Sequence, residues 1–168
     1  SFDLSLEKRI ALIETNENDI KRITNELRKA VTPSIKKNRL FIQKHCSKIL
    51  IFSGGFKEII IPIVSEYGIN EDQIFANEFI YDSDGNVIGI DKNNNMSKKS
   101  GKILMIKSLH LSGNIDVIGD GFTDYEIKKS GLATNFYAFI ENINREKISQ
   151  LSDKVLNSCD DYIEIVND

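Results

Sequence analysis

Two short stretches of this chain, Lys48 to Gly55 (KILIFSGG) and Asn114 to Asp120 (NIDVIGD), run apolar and stop at glycine or the acid beside it. A continuous apolar run bounded by turn residues reads as a strand buried on both faces, and such strands belong to parallel sheets covered by helices. Each run is followed at once by a helical pattern, FKEIIIPIVSEYG in the first case and FTDYEIKKSG in the second. Strand then helix, twice over, limits the chain to the α/β class with a largely parallel sheet.

The rest of the chain fits around those units. Leu4, Leu6, Ile10 and Ile13, then Ile20, Ile23 and Leu27, recur near the helical period and predict two amphipathic helices broken at Glu14 to Asp19. Pro33 permits a further helix running to about His45. Pro62 is expected to kink the helix that holds it or to end its first half. Gln73 to Asp91 alternates and turns at Asp84-Gly85-Asn86, which reads as a β-hairpin. Met96 to His110 predicts a helix, Leu132 to Phe139 a third strand, Gly131 a helix end, and the tail from Arg145 weaker helical segments.

Charge and cysteine usage exclude several classes. Residues 1–48 hold 11 Lys/Arg against 6 Asp/Glu and the remainder 11 against 19, so two sub-regions differ in sign. The basic residues are spread along amphipathic helices with no run of interleaved aromatics, which argues against nucleic acid as a partner. Cys46 and Cys159 have no CxxC partner and His45 and His110 no zinc spacing, so both cysteines read as reduced, partly buried thiols. No run of 18 apolar residues exists and SFDLSLEKRI is neither a signal peptide nor an anchor, so the expectation is a cytoplasmic protein without membrane contact. No GxGxxG follows either strand, which excludes dinucleotide binding.

In an open parallel sheet, ligands bind off the carboxyl ends of the strands. Ser53-Gly54-Gly55 and Asp120-Gly121 fall there, and Lys102 stands near the start of the helix between them. A Ser-Gly-Gly before a helix offers a hydroxyl and free backbone N–H groups to an anion, or is simply a tight βα turn. Asp120 and Asp124 offer carboxylates to a hard cation such as Mg²⁺; alternatively Asp124 is an acid at a helix N-terminus and Asp120 a turn former.

Taken in order, ILIFSGGF (Ile49 to Phe56), Lys102 in SGKILMIK, and DVIGDGFTDYE resemble three successive motifs of the haloacid-dehalogenase-like (HAD) hydrolases. Their phosphoserine phosphatase branch is the most similar, with a cap segment like FDLSLEKRIALI and an FAN before a hairpin like Phe75-Ala76-Asn77. The resemblance spans roughly residues 1 to 155. It implies a three-layer Rossmann-like α/β core with a parallel sheet, a small helical cap at residues 1–32, a core at 33–168, and a β-hairpin. It implies an Mg²⁺-dependent phosphomonoester hydrolase acting on a small, O-phosphoserine-like substrate through an aspartyl-phosphate.

By the same resemblance, Ser53 and Gly54 bind the phosphoryl group and Lys102 neutralises its charge. Asp120 binds Mg²⁺, Asp124 is a further ligand or orients the metal's water or Lys102, Arg9 clamps the substrate carboxylate, and Gly55 and Thr123 line the substrate. One part of the family pattern is absent: its nucleophile sits in an Asp-x-Asp-x-Thr motif before the cap, and this sequence starts at Ser1 inside the cap. Asp82-x-Asp84 is no substitute, because its fifth position is Asn86 and Asp-Gly-Asn suits a turn.

The sequence alone is therefore expected to be inactive, with an unpaired sheet edge on each side of the missing strand. Three readings stay open. One is a phosphatase completed by an upstream Asp; another is a non-catalytic module that binds a phosphorylated ligand, regulates a fused enzyme or is a degenerate or truncated copy; the last is a phosphotransferase to a small hydroxy amino acid. The expected protein partners are a fused enzyme or a second copy of the chain.

Overall fold

A computed structural model of the chain describes residues 14–167. The expected first cap helix, and Arg9 with it, lie outside the described residues. The architecture is mixed α/β with parallel sheets. The chain divides into two compact units, one built from residues up to 31 together with 40–101, the other from 32–39 together with 102 onward.

In the first unit, helix α1 (Glu17–Lys29) starts where Asn16 caps it by accepting from the Asn18 and Asp19 amides at 2.9 and 3.1 Å. Between α1 and the first strand the chain forms α2 (Pro33–Lys37), which belongs to the second unit, and α3 (Arg39–His45). The expected single helix over this stretch is thus two, parted at Asn38, whose Nδ2 bonds the Ser34 carbonyl at 2.9 Å and competes with helix continuation.

Strand β1 (Ile51–Phe56) pairs in parallel with β2 (Ile74–Asn77), across α4 (Lys57–Val64). Pro62 does not end α4, which continues to Val64 before tightening into a 3-10 turn. Instead the Pro62 carbonyl accepts from Arg28 of α1 at 2.9 Å, and Arg28 also pairs with Glu66 at 2.8 Å, which ties α1 to α4.

The expected hairpin over Gln73 to Asp91 is corrected by the structure. Its first part is β2: Ile74 and Ala76 are fully buried, so burial draws this segment against β1. The hairpin proper is β3 (Phe79–Tyr81) with β4 (Val87–Ile90). Its turn has Gly85 at φ 79°, which favours glycine, and Asp82 accepts from the Asp84 and Asn86 amides at 3.0 and 2.8 Å. The Asn86 side chain and amide hold the Asp82 carboxyl below the usual range. Asp82 is thus a turn former. Asp82→Ala is expected to lower the melting temperature and leave phosphate turnover unchanged, as thermal denaturation and a rate assay on one sample will show.

In the second unit, α5 (Gly101–Leu109) is shorter than expected. Asn94 caps Met96 at 2.9 Å and the Ser97 hydroxyl bonds the Asn94 carbonyl at 2.9 Å, so local side-chain bonds replace the helix's first turn. Strand β5 (Asp116–Gly119), α6 (Phe122–Lys129) and β6 (Asn135–Phe139) follow as expected. The tail then adds α7 (Glu146–Leu151), β7 (Lys154–Leu156) and α8 (Cys159–Asn167). The sheet order is β5-β6-β7, all parallel. Strand β7 is three residues long, too short to show a period in the sequence.

The core of this unit packs Phe136, Ala138 and Ile148 with Val117, Tyr125, Ile140 and Val155 around them. Central β6 buries its three middle residues, Phe136, Tyr137 and Ala138, whereas β5 has no buried residue and Ile118 is exposed. The expectation of two-sided burial fails for β1 and β5 alike. Each pairs with a single neighbour among the described residues, and Gly54 of β1 and Ile118 of β5 are exposed.

Candidate active site

The first unit holds the Ser53 turn. Ladder pairing between β1 and β2 jumps from Phe52–Phe75 to Phe56–Asn77, so Ser53, Gly54 and Gly55 bulge opposite Ala76 alone. In the bulge the Ser53 Oγ accepts from the Gly55 amide at 3.0 Å. One lone pair of the hydroxyl is thereby used, which leaves its O–H to donate to a ligand. Gly54 is exposed, and Phe56 supplies no side-chain cap to α4. The result is a hydroxyl and backbone N–H groups at a helix N-terminus, suited to an oxyanion.

Two neighbours of this turn have no role that the sequence assigns, although Asn77 belongs to the FAN match. Asn77, at the end of β2, is fully buried and its Nδ2 donates to the Gly54 carbonyl at 2.9 Å. Glu58, in the first turn of α4, accepts from the Phe79 amide at 2.8 Å, while its Oε2 is buried with no hydrogen-bond partner among the described residues. Burial pushes the Glu58 carboxyl above its ordinary value of 4.5.

That shift has a sign in stability. A carboxyl with a raised folded pKa adds stability that is complete below its unfolded value and is lost as pH climbs through the folded value. Glu58→Gln is therefore expected to gain on the wild type between pH 4.5 and pH 7. Urea denaturation of both proteins at the two pH values measures this, and an unchanged difference contradicts it.

The second unit holds the charged residues. Lys102, at the start of α5, donates to Asp124 Oδ1 at 2.5 Å, and the Gly121 amide donates to Oδ2 at 3.1 Å. The two side chains are only 17% and 13% exposed, so the ammonium is held at a fixed place in a partly desolvated pair. Asp124 thus stands in the first turn of α6 and holds Lys102 in place. Gly119 makes room for it: a Cβ there would lie 2.6 Å from the Asp124 Cβ and overlap its carboxylate.

Asp120 points elsewhere. Its carboxylate and its carbonyl both accept from Arg145, at the start of α7, the carbonyl at 2.8 Å. Arg145 carried no signal in the sequence, 25 residues away in the tail. Thr123 is exposed in the first turn of α6.

These donors bear on Mg²⁺. Among the described residues, no three His, Cys, Asp or Glu side chains gather to hold a metal. Mg²⁺ binds through one or two carboxylates, phosphate oxygens and retained waters, and the half-exposed Asp120 is a donor of that type. Asp124 has both oxygens engaged and is placed as a partner of Lys102. The residues fit Mg²⁺ as one carboxylate ligand, with the remaining donors to come from substrate, water and other groups.

No protein-family model matches the chain. The chloroplastic phosphoserine phosphatase of Arabidopsis thaliana is 27% identical over 155 residues, which are 90% of this chain and 52% of that protein. The human phosphoserine phosphatase is 28% identical over 171 residues, covering 99% of this chain and 73% of its own length. The chain thus spans about half of the first and about three quarters of the second. Among solved structures, a phosphoserine phosphohydrolase-like protein from Francisella tularensis subsp. tularensis SCHU S4 superposes with a TM-score of 0.81 at 33% identity, covering 99% of this chain and 77% of that one.

Proposed function

Because the chain belongs to the phosphoserine phosphatase-like branch of the HAD hydrolases, we propose that it carries the phosphoryl-binding and charge-neutralising part of an Mg²⁺-dependent phosphatase for O-phosphoserine or a close analogue. The observation that supports this most is Lys102, anchored by Asp124 at 2.5 Å beside the loop that bears Asp120. A lysine held by a carboxylate in a partly dry setting has its ammonium fixed in place and does not reorganise when a phosphoryl group arrives, which is how preorganised cations favour phosphoryl transfer.

In this reading the Ser53 hydroxyl and Gly54 amide donate to the non-bridging phosphoryl oxygens. Lys102 balances their charge and that of the attacking carboxylate. Asp120 is the Mg²⁺ ligand, and Mg²⁺ when bound supplies further charge neutralisation at the phosphoryl oxygens. Residues 1–32 form the cap over a core of 33–168, where Arg9 binds the substrate carboxylate and Gly55 and Thr123 line its path.

The carboxylate that accepts the phosphoryl group comes, in this reading, from an aspartate encoded upstream of Ser1. It attacks phosphorus as the bond from phosphorus to the seryl oxygen breaks, and that oxygen takes its proton from the second aspartate of the same upstream motif. Water then cleaves the aspartyl-phosphate to release inorganic phosphate and restore the carboxylate.

The test is phosphate release from O-phosphoserine by the protein expressed with its upstream coding sequence. Release that requires Mg²⁺, and falls about 10²-fold in Asp120→Asn, is the expected result. No release from O-phosphoserine or a generic aryl phosphate removes the proposal.

A further inference from the structure

Asn77 is fully buried, yet its side-chain oxygen has no hydrogen-bond partner among the described residues. A buried, unpaired amide oxygen costs stability, so a site that keeps one uses the rest of the group for something. The use is visible in the other half of the amide. Asn77 Nδ2 donates to the Gly54 carbonyl at 2.9 Å, at the bulge where the β1–β2 ladder is broken. The side chain supplies the donor that a regular ladder would have drawn from the backbone.

The Gly54 carbonyl and the Gly55 amide belong to one peptide group, and the described chain has no cis peptide bonds. In a trans peptide these two groups point to opposite sides of the chain. Asn77 therefore pins one side of the plane while the other side donates to Ser53 Oγ at 3.0 Å. The three groups form a relay from the Asn77 amide through the peptide to the Ser53 oxygen. A donor on the carbonyl polarises the peptide and strengthens its N–H as a donor, which in turn sharpens the Ser53 hydroxyl as a donor outward.

We propose that Asn77 is a positioning residue for phosphoryl binding, acting through the Gly54–Gly55 peptide to fix the Ser53 hydroxyl. This rests on the reading that Ser53 contacts the phosphoryl group. The contact needs a donor: leucine would leave the Gly54 carbonyl unpaired, and aspartate would set acceptor against acceptor.

A double-mutant cycle on the protein with its upstream sequence tests it, using kcat/KM for O-phosphoserine with Mg²⁺. Asn77→Asp is nearly isosteric and is expected to lose at least tenfold. Ser53→Ala is expected to lose about 10²-fold, and the double variant to be no slower than Ser53→Ala within a factor of two. Independently of activity, exchange of the Gly55 amide proton is expected to quicken at least tenfold in Asn77→Asp.

If Asn77→Asp does not fold, Asn77→Ser enters the same cycle and the same exchange measurement without a buried charge. Multiplying losses in the double variant, or an unchanged Gly55 exchange rate, overturn the role of Asn77 and leave that of Ser53 standing. A Ser53→Ala protein as fast as the wild type overturns the reading of Ser53, and the role of Asn77 with it.

Discussion

Lys102→Met is expected to lower the rate of phosphate release by about 10²–10³-fold, the usual loss when one preorganised charge stabiliser is removed. Methionine keeps the length and apolar stem of lysine and removes the ammonium. The same change leaves the Asp124 carboxylate, only 13% exposed, without its cation. Breaking one side of a well-buried pair costs about 3–5 kcal/mol. Since the Gly121 amide still donates to Oδ2, about 3 kcal/mol is the figure expected here. Denaturant midpoints and rates measured at a temperature where both proteins stay folded separate the two effects. A variant as stable and as active as the wild type contradicts the roles given to both residues.

Gly119→Ala is expected to be almost as severe, although it adds one methyl group. The new Cβ would sit 2.6 Å from the Asp124 Cβ and overlap the carboxylate carbon. Either β5 shifts or Asp124 leaves both Lys102 and the Gly121 amide. Overpacking costs about 1–3 kcal/mol, and the loosened ion pair carries the total to about 3 kcal/mol or more. For a chain of this size that corresponds to a fall in melting temperature of about 6–12 °C, with activity reduced about 10²-fold through Lys102. Gly89→Ala is the control, because nothing lies within 4 Å of a Cβ there. A shift of more than about 0.5 kcal/mol at Gly89 would undo the steric explanation.

How much of this was legible depends on how local each feature is. Strands β5 and β6 and helix α6 were readable because apolar runs and glycine stops lie within a few residues of each other. Ser53, Lys102 and Asp124 were legible through their place in an ordered set of motifs. What the sequence left out is long-range. Arg145 meets Asp120 across 25 residues with no spacing that marks it, and Asn77, although part of the FAN match, reaches Gly54 across 23 residues that no local pattern links.

The hairpin shows the same limit. Ile74 to Asn77 alternates much as a hairpin strand does, and only the burial of Ile74 and Ala76 against β1 makes it a parallel strand. For β1 and β5, apolar composition signalled two-sided burial, but burial depends also on how many strands are paired beside them.

Phosphorus-31 NMR of O-phosphoserine, incubated with Mg²⁺, excess homoserine and the protein carrying its upstream coding sequence, bears most directly on the central claim. If Lys102 and Ser53 serve a hydrolase, the substrate signal is replaced by inorganic phosphate alone, and chelation of Mg²⁺ stops the conversion. A signal from phosphohomoserine, or a substrate peak that never declines, contradicts it.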